Sequence, residues 1–100
     1  MVKQNSITEE EKQKVLSAYF KNGIDGEMNT FPSKEKRKLI VLQHILKRFK
    51  PERTYSEKEV NELLKTAYSD FVIIRRSMIE YHLMDRSRDC SQYWIKNEWR

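Results

Sequence analysis

Residues 53–83, RTYSEKEVNELLKTAYSDFVIIRRSMIEYHL, decide how this chain folds. Ser56 followed three residues later by Glu59 is a capping-box signature, in which hydroxyl and carboxylate each satisfy a backbone N–H left open by the first helical turn. Tyr55, just before the cap, is placed to pack on Val60 as a hydrophobic staple. A helix therefore starts at Ser56 and runs to about Ala67, with Val60, Leu63, Leu64 and Ala67 as its inner face. Arg53-Thr54-Tyr55 ahead of it favours extended backbone and is long enough only for a single edge strand. After a tight turn, Ser69 or Asp70 caps a further helix over residues 70–82, whose buried face is Phe71, Ile74, Met78 and Tyr81. Beyond Leu83 the helical period is lost. Residues 84–96, MDRSRDCSQYWIK, read as two short strands around a turn near residues 88–91. The Asp89-Cys90 centre lacks the glycine of a two-residue hairpin turn, which points to a longer or irregular loop.

Upstream, residues 34–49 carry Leu39, Leu42, Leu46 and Phe49 at helical spacing, and Ile40, Val41 and Ile45 widen the stripe. This helix should be deeply buried at its middle and end before Pro51, which cannot donate to the preceding turn. A first helix is announced by Thr8 with Glu11 three residues on, continues through Val15, Ala18 and Tyr19, and closes near Gly23. Residues 24–33 read as an irregular connection with a turn at Asp25-Gly26. From residue 34 the order is helix, short strand, helix, tight turn, helix, hairpin. That is the order of a winged helix-turn-helix, in which the helix over residues 70–82 is the one to enter a major groove and the hairpin is the wing. The expected fold is mainly α with a small β-hairpin. Residues 1–33 supply an extra helix and connection, residues 34–100 supply the winged-helix-like domain, and the two form one compact unit.

The net charge of +5 is unevenly spread. Residues 1–33 sum to −1 and residues 51–100 to 0, whereas residues 34–50 hold Lys34, Lys36, Arg37, Lys38, Lys47, Arg48 and Lys50 against Glu35 alone, for +6. Such a cluster attracts polyanions, and it is equally what a solvated helix face looks like.

Several stretches together resemble a bacterial group, domain-of-unknown-function family 2087. They are residues 31–86, from FPSKEKRK to YHLMDR, and SQYW at residues 91–94. The most specific parts are YSEKEVN at residues 55–61, the spacing of Asp70, Arg75 and Arg76, and the Tyr93-Trp94 pair. The resemblance spans roughly residues 28–95. It implies a winged-helix-like domain, found alone or joined to helix-turn-helix regulators, and so a part in bacterial transcription. It also implies that a glycine usual in the wing turn is replaced here by Cys90.

Candidate contacts follow from the helical wheel. At about 100° per residue, with Phe71 at 0°, Arg75 falls at about 40° beside the apolar stripe and Arg76 at about 140°, facing out with Ile73 and Glu80. Arg75 is expected to be structural, paired with Glu59 or Glu57. Arg76 is the candidate for a nucleic-acid contact, with Arg86 and Arg88 of the wing and Lys36, Arg37 and Lys38 of the basic helix. Asp85 and Asp89 beside the wing arginines, and Glu80 beside Arg76, weigh against a phosphate.

Other classes find less in the sequence. His44, His82 and Cys90 have no spacing for zinc or for a nucleophile and its base, and there is no glycine-rich phosphate loop, so neither an enzyme nor a cofactor is expected. Tyr93, Trp94 and Trp99 could stack on bases, but closing the core is the plainer role for Tyr93 or Trp94, with Trp99 docking on it. The competing reading is a protein-interaction module, in which the first helix docks on a second copy or a partner, and exposed Ile73 and Ile79 would favour it. An effector ligand is not indicated by any polar constellation. With no apolar run of membrane-spanning length, no signal-peptide pattern and a single cysteine, the chain is expected to be cytoplasmic.

Overall fold

The computed structural model describes residues 8–96. Four helices are followed by a hairpin: α1 (Glu9–Tyr19), α2 (Glu35–Leu46), α3 (Glu57–Lys65), α4 (Phe71–Glu80), β1 (Met84–Arg86) and β2 (Tyr93–Ile95). The strands pair antiparallel with Met84 opposite Ile95, Asp85 opposite Trp94 and Arg86 opposite Tyr93. The layout is mainly α with a small hairpin and is winged-helix-like, with α3 and α4 as the helix pair and β1–β2 as the wing. Among the described residues no helix is long and apolar enough to cross a membrane.

Helix starts are local events, and α1 and α3 start where their caps put them. Ser56 Oγ accepts from Glu59 N (3.1 Å) and Glu59 Oε1 accepts from Ser56 N (2.9 Å), completing the capping box. Thr8 Oγ1 accepts from Glu11 N (3.0 Å), while the Glu11 carboxylate reaches Lys36 of α2 at 2.7 Å. Asp70 takes the N-cap position of α4 without a side-chain capping bond.

Helix ends depart from expectation because tertiary packing sets them. α1 stops at Tyr19, short of Gly23, where Phe20 leaves the helix to bury itself edge-on against His44, ring centroids 5.3 Å apart. Gly23 sits in the turn beyond, at φ 111°. Regular α2 ends at Leu46, and single tight turns carry the chain on so that Phe49 packs across Tyr55, 5.1 Å between centroids. At the end of α4, Leu83 N donates to Met78 O (2.9 Å) and His82 N to Ile79 O (3.0 Å). This is the two-bond Schellman closure, with His82 at φ 61° in the left-handed position where glycine is usual.

One buried cluster draws on every element. Ile40, Val41, Leu42 and Ile45 of α2 are at its centre, and Val60 and Leu64 of α3, Ile74 and Met78 of α4, and Met84, Tyr93 and Ile95 of the hairpin pack around them. Leu16 and Phe20 of α1 join it, with Val15 and Tyr19 packed alongside, whereas Ala18, expected on the inner face, is exposed. Leu39, Leu63, Phe71 and Tyr81, also expected to be buried, are only half-buried. The expected edge strand at residues 53–55 contracts to one bridge: Tyr55 and Tyr93 exchange two backbone hydrogen bonds of 2.8 Å. That bridge fastens the entry to α3 onto the outer side of the wing.

The connection between α1 and α2 is held by polar side chains of α2 and of the turn after it. The Arg48 guanidinium donates to Thr66 Oγ1 (2.8 Å), Gly26 O (2.8 Å) and Ile24 O (3.1 Å), and His44 Nε2 donates to Ile24 O (2.9 Å). Met28, 2% exposed, plugs into the core there, and its N–H donates to Ala67 O (2.6 Å) in the turn between α3 and α4.

Candidate functional site

Side-chain alternation along β1 directs the wing's first arginine inward. Met84 points to the core, Asp85 to the opposite face with Trp94, and Arg86 again to the Met84 side, beside Tyr93. Because the core ends there, Arg86 reaches the flank of α4. The result is a cleft of about 330 Å³ lined by Glu57, Arg75, Arg76, Ile79, Glu80, Arg86, Cys90 and Tyr93. Three arginines and two glutamates thus converge from α3, α4 and the wing.

Those arginines are not equivalent. Arg75, its side chain 18% exposed, lies 3.5 Å from Glu57 and hydrogen-bonds Asn61 Oδ1, so it braces α4 against α3 as a structural arginine. Its acidic partner is Glu57; Glu59 is engaged by Ser56 and by Arg53 at 2.7 Å. Arg76 is exposed, and Arg86 Nη1 donates to Cys90 Sγ at 2.9 Å, a weak acceptor. Among the described residues no carboxylate lies within 4.0 Å of the Arg76, Arg86 or Arg88 guanidinium.

The carboxylates beside the wing arginines are used elsewhere. Asp89 Oδ1 accepts from Ser91 Oγ (2.7 Å), Ser87 Oγ (2.8 Å) and Ser91 N (3.0 Å), and these bonds hold its carboxyl below the usual range, Ser91 contributing most. Asp85 Oδ1 accepts from the Arg86 backbone N–H (2.8 Å). The turn is a six-residue polar loop closed by Ser87 N to Gln92 O (2.9 Å), longer than a two-residue hairpin turn. Cys90 adopts φ 63°, the conformation that costs glycine nothing.

At the foot of the cleft Tyr93 closes the core. Burial, with help from Glu57, holds its phenol above the usual range. Trp94 is half-buried on the outer face, and Trp99 lies outside the described residues.

Part of the basic segment is committed to the fold, whereas Lys34, Lys47 and Lys50 are exposed with no carboxylate within 4.0 Å among the described residues. Lys36 pairs with Glu11, Arg48 is bonded to Thr66 and the connection, and half-buried Lys38 lies 6.0 Å from the centroid of the Phe31 ring. Arg37 is exposed, with no carboxylate within 4.0 Å among the described residues. The three candidates Lys36, Arg37 and Lys38 thus have different surroundings: Lys36 is ion-paired, Lys38 is half-buried and Arg37 is open. Burial draws the Arg48 guanidinium below its usual range, and Asp25 opposes that shift.

The outer face of α4 carries Val72, Ile73, Arg76 and Glu80. Ile73 is exposed as the wheel indicates, whereas Ile79 is half-buried against the core. Val72, at about 100° on the same wheel, was within reach of sequence reading. Lys65, whose Nζ lies 5.5 Å from the Phe71 ring, adds a cation at the start of α4.

A family model described as "Uncharacterized protein conserved in bacteria (DUF2087)" matches residues 27–95. No curated protein and no solved structure matches the chain.

Proposed function

Because the chain belongs to the DUF2087 family of uncharacterized bacterial proteins, we propose its function from the site itself: a winged-helix module that binds duplex DNA, with α4 in the major groove and the wing against the backbone. The observation that carries the reading is the division among the arginines. Arg48, Arg53 and Arg75 are tied to oxygen acceptors of the protein, whereas Arg76 and Arg86 at the α4–wing cleft and Arg88 in the wing turn have no carboxylate within 4.0 Å among the described residues, Arg86 reaching only the weak acceptor Cys90 Sγ. Guanidinium donors left open on one face suit phosphate and base-edge acceptors. In this arrangement Arg76, midway along α4, meets the groove, Arg86 and Arg88 meet phosphates, and Arg37 extends the contact along the backbone. Glu80 limits the affinity. Acting on DNA places the chain in the bacterial cytoplasm, as a binding module and not an enzyme.

The competing use of the same face is docking of a second copy or another protein, and it draws on Val72 and Ile73, each 38% exposed. Two side chains fall far short of the roughly 800 Å² that each partner gives to a stable interface. The apolar face of α1 is already spent on the core.

Fluorescence anisotropy with a labelled random-sequence duplex tests the reading. Binding should weaken steeply with salt, and Arg76→Ala and Arg86→Ala should each lower affinity about tenfold. Absence of binding at low salt would sink the DNA reading.

A further inference from the structure

Val72 and Ile73 occupy the first turn of α4 and stand out from the rest of that helix. Ile74 and Met78 are fully buried and Phe71 and Ile79 pack on the core, so this pair is the apolar part of the exposed face. On the wheel, Val72 at about 100° and Ile73 at about 200° straddle Arg76 at about 140°, one turn further along the helix. The pair is therefore continuous with an open guanidinium, and Lys65 lies at the same end of α4. An apolar pair set among cations with no carboxylate partner matches a surface that is anionic overall and carries apolar points within it. The major groove is such a surface, because thymine alone among the bases presents a methyl group there.

We propose, resting on the DNA-binding reading, that the first turn of α4 is a thymine reader, with Val72 and Ile73 packing on 5-methyl groups in the major groove. Both side chains are β-branched and stiff, so they lose little freedom on contact. Neither can hydrogen-bond, so a cytosine amino group placed against them would lose its water and gain no acceptor. The first turn of a recognition helix is also the part that meets base edges when the helix lies in the groove. The preference is thus for A·T pairs at the positions facing residues 72 and 73, with Arg76 reaching the neighbouring pair.

The test uses the full chain and three duplexes of equal length: alternating A·T, the same duplex with deoxyuridine in place of thymidine, and alternating G·C. Deoxyuridine removes only the methyl and keeps every phosphate and base pair. The wild type should bind the thymidine duplex more tightly than the deoxyuridine duplex, by on the order of fourfold for each methyl group that packs on Val72 or Ile73. A double variant, Val72→Ser with Ile73→Ser, checked for native circular dichroism, should lose that preference while keeping its affinity for the deoxyuridine duplex. Equal affinity of the wild type for the thymidine and deoxyuridine duplexes overturns the inference and leaves DNA binding standing. So does a double variant weakened equally on all three. If the wild type binds none of them, the DNA reading fails and this inference with it. If the double substitution instead dissolves a dimer seen by sedimentation, the pair serves a second copy of the chain.

Discussion

The basic segment around α2 and the α4–wing face use their cations differently. Residues 34–50 sum to +6 against +5 for the whole chain; there Lys36 is paired to Glu11, Arg48 is bound to Thr66 and two carbonyls, and Lys38 lies over Phe31, whereas Lys34, Arg37, Lys47 and Lys50 are exposed with no carboxylate within 4.0 Å among the described residues. Residues 51–100 have no net charge, yet they leave Arg76, Arg86 and Arg88 without a carboxylate within 4.0 Å among the described residues. Of the acids there, Glu57 lies against Arg75 and Glu59 against Arg53, while Asp85 and Asp89 are turned to backbone and serines. Beyond about 8 Å exposed charges are largely screened, and at contact distance a phosphate meets only the donors that are free. Open donors, and not the charge sum of a segment, mark the face that can hold an anion.

The sharpest way to break this contrast is to remove a cation from each side. Arg48→Ala should cost about 2–3 kcal/mol of stability, because three hydrogen bonds from a charged donor disappear and the connection carrying Met28 is released. Urea unfolding measures it, and an unchanged midpoint would mean that Arg48 is no clamp. Arg76→Ala should leave the urea midpoint within about 0.5 kcal/mol of wild type while lowering DNA affinity about tenfold. If Arg76→Ala unfolds the protein, the open arginine has a structural role and the contrast collapses.

Acid sharpens the comparison from the side of the carboxylates. Hydrogen bonds from Ser56 hold the Glu59 carboxyl below its usual range, as those from Ser91 and Ser87 hold Asp89. A carboxyl depressed in the folded state stabilises the fold above its unfolded pKa, and that contribution is lost as pH falls through the folded value. The urea midpoint should therefore be flat from about pH 7 to 5 and fall below about pH 4, with a shallower fall in Asp89→Asn. A midpoint that rises on acidification would contradict the assignment. The smallest effect is expected at the wing turn: Cys90→Gly should raise stability by about 0.5 kcal/mol, the relief of the left-handed conformation outweighing glycine's entropy cost.

Legibility in the sequence followed the range of the interaction. The starts of α1 and α3 are written within four residues, at Thr8 with Glu11 and at Ser56 with Glu59, and both were readable. The ends of α1 and α2 were not, because Phe20 and Phe49 leave their helices to meet His44 and Tyr55, distant in sequence. The structural role of Arg75 was visible from its place beside the apolar stripe, but the choice of Glu57 over Glu59 depends on how α3 and α4 cross. The cleft was hidden for a similar reason. Arg86 faces α4 only because β1 pairs with β2 in a register that puts it opposite Tyr93, and no local signal in the sequence states that register. The pairing of Lys36 with Glu11 likewise joins two helices, and it removes Lys36 from the open cations of the basic segment.

Amide chemical-shift mapping by NMR during titration with a short duplex tests most directly which region meets DNA. The account predicts shifts concentrated in residues 70–80 and 86–92, with the first turn of α2, residues 35–38, shifting little apart from Arg37. Shifts centred on α2 with α4 and the wing silent would contradict it.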